Sequence, residues 1–345
     1  MALNIYTINE SDEWDKIIRS FSQYDVYWFS GYAKGFQIHG DGEALLFYYE
    51  DEETRGINVV MKRDVANDPK FMGKILADRY FDFASPYGYG GWIIEGTDKT
   101  KLFSEYEEWC KNNNIVSEFV RFHPVIRNHV NCVNEYDVVQ LGDAVTMDLS
   151  SPQNIWGNLT SKNRNMIRKA QKNGVQIYNG RFPQIYNIFK KIYEETMSKD
   201  HADDYYYFET EYYESLLRDL PYNAQIFYAV YDGQVIAAAI ILTANGYMNY
   251  HLSGSKKEYG PLAATNLLLY EVARWGSENG FRTLYLGGGV GSEEDSLFKF
   301  KKAFNRNDVV NKYFIGKKIY LGEAYNELLH TRECVNNNYF PQYRA

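Results

Sequence analysis

Cysteine is nearly missing from this 345-residue chain: there are three, Cys110, Cys132 and Cys334, and none sits in a CxxC pair. That excludes a disulfide framework and a cysteine-built zinc site, and points to reduced thiols and a cytoplasmic setting. Histidine is sparse too, six dispersed residues without helical metal-ligand spacing, so no metal is expected. No run of about 18 apolar residues occurs, and no integral membrane segment is expected. The opening MALNIYTINESDEWDK lacks a basic start followed by an apolar block, so no secretory leader is read there. Cations are the minority, 37 Lys+Arg against 45 Asp+Glu, a net −8. DNA is not an expected partner of such a chain.

What the chain has in excess is tyrosine, 32 copies. A flat apolar ring with a hydroxyl suits grooves that hold sugars or peptides. The 45% hydrophobic and 24% charged content is that of a globular protein. The length favours two domains.

Periodicity places the elements. EALLFYYEDEETRGINVVMKRDV reads as a hairpin, SPYGYGGWII as a Gly/Tyr loop entering a short strand, KTKLFSEYEEWCKNNN as a helix and VSEFVRFHPV as a strand stopped by Pro124. The second half is clearer. PQIYNIFKKIYEETMSK has Ile185, Ile188, Phe189 and Ile192 on one predicted helical face. QIFYAVYDGQVIAAAIIL is a hairpin turning at Asp232-Gly233. GYMNYHLSGS is a further strand, AATNLLLYEVARWGSENG a helix ended by Gly280, FRTLYLGGG a buried strand, SLFKFKKAF a short basic helix and KYFIGKKIYL a last strand. This predicts a mixed α/β chain of two related domains, 1–150 and 151–345.

Two basic islands stand out against the acidic whole. SKNRNMIRKAQKNG, from Ser161 to Gly174, has five cations and no acid. Lys162, Asn165, Lys169 and Lys172 share one helical stripe and Arg164 and Arg168 a neighbouring one, while Met166, Ile167 and Ala170 turn inward. A surface helix without a ligand usually mixes charge signs for i,i+4 pairing, so this one is expected to face phosphate. A plain solvated helix is the alternative. In SLFKFKKAFNR, the residues Leu297, Phe300 and Phe304 are expected to anchor one face and leave Lys299, Lys301, Lys302 and Arg306 for another. The island follows LGGGVGSEEDS, whose Gly288 and Gly289 let backbone N–H groups approach an anion.

In that order, SKNRNMIRKAQKNGV, IFYAVYDGQVIAAAIIL, YHLSGS, ATNLLLYEVARWGSENG, LYLGGG and LFKFKKAF resemble the peptidoglycan-bridge (Fem-type) aminoacyltransferases of the Gcn5-related (GNAT) acyltransferase superfamily. SPYGYGG and RFHPVIRN are similar to the first domain of that family. The resemblance covers about residues 25–330. It implies α/β architecture with mixed sheets, in two tandem GNAT-type acyltransferase domains, the first on the acceptor side and the second on the donor side. It implies transfer of an aminoacyl or acyl group onto an amine of a cell-wall precursor, a nucleotide-linked muropeptide or sugar. The donor would be charged tRNA, with acyl-CoA the lesser candidate and no tightly bound cofactor. In the pattern L-x-x-F-K-x-x-F the functional lysine falls on Lys301, and the G-G-W-I-I-E segment puts a carboxylate on Glu95. Candidate bases are Glu95, Asp295 and His251. Candidate binding residues are Lys162, Arg164, Arg168, Lys169, Lys299, Tyr87, Tyr89, Tyr250, Gly288 and Gly289. The chain departs from the family's larger members, which insert a coiled-coil arm. It also departs from acetyl-CoA users: the nearest fit to their pyrophosphate loop, Lys257-x-x-Gly260-x-Leu262, puts a leucine where backbone should wrap phosphate. Two other readings stay open: an acyl-CoA-dependent N-acyltransferase acting on an amino sugar of a surface polysaccharide, and a non-catalytic nucleic-acid- or glycan-binding relative.

Overall fold

The structure, a computed structural model, describes residues 2–292, 294–307, 311–332 and 338–345. Cys334 lies outside them. The chain forms two compact units, Met1–Leu141 with Tyr313–Ala345, and Gly142–Lys312. The first unit therefore ends at Leu141, and it takes back the C-terminal segment that a cut at residue 150 assigns to the second domain.

The first unit runs β1 (Leu3–Thr7), α1 (Ser11–Ser20), α2 (Ser30–His39), β2 (Glu43–Glu50), β3 (Thr54–Asp64), β4 (Phe81–Ala84), β5 (Ile93–Gly96), α3 (Thr100–Asn112) and β6 (Ile115–Arg121). β7 (Asp137–Asp148) leads out of it. The second unit runs α4 (Pro152–Asn158), α5 (Ser161–Lys172), β8 (Gln176–Gly180), α6 (Pro183–Lys199), α7 (Thr210–Asp219), β9 (Ala224–Tyr231), β10 (Gln234–Ala244), β11 (Tyr247–Ser255), α8 (Ala264–Glu278), β12 (Thr283–Gly287) and α9 (Ser296–Lys302). β13 (Asn311–Ile319) and α10 (Gly322–His330) follow.

The two units repeat one topology. In the first, β1, β2, β3 and β4 pair antiparallel in turn, and the crossover through α3 makes β6 parallel to β4. In the second, β8, β9, β10 and β11 pair antiparallel, and the crossover through α8 makes β12 parallel to β11. Each sheet is closed by a sixth, antiparallel strand: β13 on β6, and β7 on β12. So the strand that follows β6 in the chain completes the second unit's sheet, and the segment that returns from the second unit completes the first. No helix among the described residues is long and apolar enough to cross a membrane.

Local chemistry explains the frame. Asp232 and Gly233 both take positive φ, 48° and 70°, which a two-residue turn between twisted strands requires. Ser151 caps α4 through the N–H of Asn154, with Pro152 at its first turn, and Thr160 caps α5 through the N–H of Asn163. In α6 the buried face holds Ile185, Tyr186, Phe189, Ile192 and Tyr193. Ile188 is not on it; its side chain is in solvent, because tyrosines 186 and 193 shift the apolar stripe by part of a turn.

The first unit's core contains a carboxylate. Glu118, on β6, is fully buried. It accepts hydrogen bonds from the hydroxyls of Tyr320, Tyr136 and Tyr106 (2.6, 2.9 and 3.2 Å) and from Asn58 Nδ2 (3.2 Å). Burial pushes its pKa above the usual carboxylate range, and no cation is bonded to it among the described residues.

Candidate active site

The parallel pair β11–β12 is the feature that can hold a reacting group. Pairing runs Tyr247↔Thr283, Met248↔Leu284 and Asn249↔Tyr285, and stops there. Beyond it β11 bulges, its register against β10 shifting between Ile240 and Ile241 so that His251 has no partner residue in the ladder. β12 meanwhile ends at Gly287, with φ of +85°, conformation that glycine allows at little cost. The two strands part as a fork. Tyr250 and His251 lie on one arm, Gly287 and Gly288 on the other.

Lys301 reaches the second arm. It is carried by α9 and is 9% exposed, with its Nζ donating to Gly288 O at 2.7 Å. Burial pushes its pKa down to about 8, against a smaller opposing pull from Asp295. This corrects the expectation of an apolar face of Leu297, Phe300 and Phe304 with cations on the other. Phe298 and Phe304 are buried, Phe300 is half-buried, Leu297 is in solvent, and Lys301 lies on the inner face. Lys299 is exposed on the outer one. Gly288 leaves little room: a Cβ on it would stand 2.7 Å from Asp143 O, so the turn that presents its carbonyl to Lys301 needs glycine. Gly289 is half-buried beside it.

The candidate bases fare differently. Asp295 caps α9, accepting from the N–H groups of Phe298 (2.8 Å) and Val290 (3.2 Å). Those bonds hold its pKa below the usual range and make it a capping residue. His251 is half-buried, and burial pushes it down to about 3. It is a neutral imidazole whose Nε2 meets the Tyr212 hydroxyl at 2.8 Å, too weakly basic to take a proton from an ammonium efficiently. Tyr250 is held neutral as well, pushed up to about 12 by burial. Glu95 belongs to the first unit, on β5. It accepts from Ser22 N (2.6 Å) and from Arg55 Nε (2.8 Å) and is held below the usual range despite partial burial. It ties β5 to β3 and to the end of α1, a structural ion pair.

Tyr87 and Tyr89 also lie in the first unit. There the loop from Ser85 to Trp92 is stitched to β6 by Ser85 N to Phe119 O, Arg121 N to Ser85 Oγ and Gly90 N to Arg121 O. Tyr89 packs among Tyr27, His123 and Tyr313, and the Tyr87 carbonyl accepts from the Tyr32 hydroxyl. The place where β4 and β6 could part is thus closed, and among the described residues the first unit has no counterpart of the second unit's fork.

On α5 the cations divide. Arg164 donates to the carbonyls of Leu159 (2.6 Å) and Trp156 (3.4 Å), closing the end of α4. Arg168 lies over the Trp156 ring at 5.1 Å. Lys162 and Lys169 are exposed. Arg164→Ala is therefore expected to lower Tm, since it removes the guanidinium from the Leu159 carbonyl, while the Trp156 carbonyl keeps the Leu159 N–H, a loss of roughly 1–3 kcal/mol, or about 2–8 °C. An unchanged melt would return Arg164 to the phosphate-facing set.

Residues 161–302 match the acetyltransferase (GNAT) domain family. The second unit contains this matched stretch. Its element order, its β11–β12 fork and its bulged β11 all fall inside that match or beside it. Over nearly the whole chain the fold is similar to FemX (14% identity, 95% of this chain and 100% of that one, TM-score 0.68). It is similar to L-PGS from Bacillus licheniformis (14%, 93% and 96%, 0.59). It is also similar to a conserved protein of unknown function from Bacteroides thetaiotaomicron (11%, 92% and 99%, 0.60). A search of curated protein sequences finds no match. The likeness to FemX spans both units, and the first unit repeats the strand order of the second.

The sequence missed Tyr212 and Glu118. Tyr212 has a weak signal, standing in the tyrosine-dense DDYYYFETEYY; Glu118 has none beyond being an acid within an apolar strand.

Proposed function

We propose that the GNAT domain transfers an aminoacyl or acyl group from an ester-linked donor, charged tRNA, onto an amine of a nucleotide-linked cell-envelope precursor. The observation that carries this is the fork with the buried Lys301 ammonium at its edge. In such a transfer the acceptor amine attacks the ester carbonyl, the C–N bond forms and an oxyanion develops. The C–O bond to the donor hydroxyl then breaks, and the proton lost by the amine ends on that hydroxyl. An ammonium in a dry setting favours the oxyanion or the departing alkoxide. None of Glu95, Asp295 and His251 suits general base, so the proton passes to the leaving oxygen rather than to a side chain.

The fold class ordinarily takes acyl-CoA, whose pyrophosphate needs a ring of available backbone N–H groups. The segment before α8 fits it poorly. It is a 3-10 turn over Lys257–Leu262. The N–H of Tyr259 donates to Lys256 O and that of Ala263 to Gly260 O, Pro261 has none, and Leu262 packs on the core. Acetyl-CoA at high concentration is expected to leave Tm unchanged, whereas a ligand at 100 times its Kd would add about 2.7 kcal/mol. A clear upward shift would favour the amino-sugar N-acyltransferase reading instead.

The exposed cations of α5 are assigned to donor phosphates. Replacing Lys162 and Lys169 with Gln should flatten the dependence of log K on log salt by roughly 0.7–0.9 per lost phosphate contact, with Tm unchanged. An unaltered slope would make α5 an ordinary solvated helix.

A further inference from the structure

We infer that Asn163 is a positioning residue for Lys301, holding the helix that carries the lysine against α5 and α8. This rests on the reading that Lys301 serves the transfer. The buried residues of α5 are Asn163, Ile167 and Ala170. Their spacing of four and three puts them on one face, apart from the stripe of the exposed Lys162 and Lys169. An amide on a buried face must find partners for its N–H and its oxygen. Asn163 is 1% exposed and finds one for each, on two other elements. Its Nδ2 donates to Ala303 O at 3.2 Å, and its Oδ1 accepts from Asn266 Nδ2 of α8 at 2.8 Å. The orientation of the amide follows from the chemistry, because a backbone carbonyl only accepts.

Ala303 is the C-cap of α9, two residues beyond Lys301. Its carbonyl also accepts from the Thr160 N–H at 3.0 Å, so the end of α9 is held twice by the start of α5. α9 has seven residues. Asp295 fixes its first turn, the contacts at Ala303 fix its last, and Lys301 lies in that last turn. The Lys301 Nζ reaches Gly288 O at 2.7 Å, and a Cβ on Gly287 would stand 3.2 Å from it. This bond has little slack. Moving the end of α9 by about 1 Å would stretch it past the range of a hydrogen bond and let water reach the ammonium. Asp295 is the charged group that pulls on that ammonium, and it caps the opposite end of α9, away from the Asn163 contacts. The Thr160 N–H stays on Ala303 O when Asn163 is changed, so the loss of the amide loosens α9 without releasing it.

The titration of Lys301 in the full chain, followed without substrate by NMR of isotope-labelled lysine, tests this. The Lys301 resonance is assigned by its loss in Lys301→Met. In the wild type it should titrate near 8. Asn163→Leu keeps the volume and removes the amide, and should move the titration up by about one pH unit or more toward 10.5, since a hydrated ammonium holds its proton better. Asn163→Ala gives the same reading should leucine not fit the site. With charged tRNA and a UDP-linked muropeptide, kcat should fall about tenfold with KM near wild type. Arg164→Ala, which loosens the end of α4 without touching α9, should leave the titration where it is. A Lys301 that titrates in both Asn163 variants as in the wild type overturns the positioning role. So does an equal upward move in Arg164→Ala, which would mean that any loosening near α5 suffices. The transfer reading fails separately, if Lys301→Ala transfers undiminished; the titration, read without substrate, decides the role of Asn163 in either case.

Discussion

Lys301→Ala should lower kcat by about 10²–10³-fold while leaving KM nearly unchanged, as expected when a contact strengthens only in the transition state. The pH profile gives a sharper signature. An acceptor ammonium of the lysine type loses its proton near 10, so the rate should rise with pH. In the wild type the ammonium of Lys301 is lost from about 8 upward, so the rise should level off there. In Lys301→Ala the small residual rate should keep rising toward about 10. The same residue has a stability consequence of opposite sign. Its pKa falls from 10.5 to about 8 on folding, so near pH 7 the fold bears roughly 3 kcal/mol for burying the charge. That cost shrinks as pH rises through about 8. Lys301→Met should therefore melt at or above the wild-type temperature near pH 7 while being catalytically poor. A less stable, still active Lys301→Met would assign the lysine to the scaffold.

The largest stability effect is expected at Glu118. Removing this acceptor in Glu118→Ala leaves three tyrosine hydroxyls and the Asn58 amide without it inside the first unit's core, a loss on the order of 4 kcal/mol or more. Glu118→Gln keeps an acceptor oxygen and the shape, and should cost far less. The folded pKa of Glu118 lies above its ordinary value of 4.5, so its contribution is fully present below the unfolded pKa and is lost as pH rises through the folded one. The wild-type advantage over Glu118→Gln should accordingly be greatest at acid pH and shrink as pH rises. Melts of the three proteins across pH 4–8 check this. A Glu118→Ala protein as stable as wild type would mean that the network contributes little.

Much of the frame was legible because it is local. The Asp232-Gly233 turn, the helix ended at Gly280 and the strand entering the glycines after Leu286 each follow from a few neighbouring residues. Both basic islands were legible as helices, but their roles were not. Arg164 binds carbonyls that α4 brings beside it. Lys301 lies inward because Gly287 and Gly288 turn a carbonyl toward α9. The strands that close the two sheets were beyond reach, since nothing near β7 or β13 says that each completes the sheet of the other half. Glu118 was hidden for the same reason: its hydroxyl partners come from residues 106, 136 and 320. Residue type alone could not show that the carboxylate of Asp295 holds a cap and that of Glu95 an ion pair.

One experiment bears most directly on the claim that the fork of the second unit takes an ester-linked donor. Purified protein is given a UDP-linked muropeptide acceptor with either radiolabelled aminoacyl-tRNAs or labelled acetyl-CoA, in single turnover, and label on the acceptor amine is counted. Label is expected from the tRNA pool, none from acetyl-CoA, and the signal should be lost in Lys301→Ala. Label from acetyl-CoA alone, or transfer from tRNA that survives Lys301→Ala undiminished, would contradict the claim.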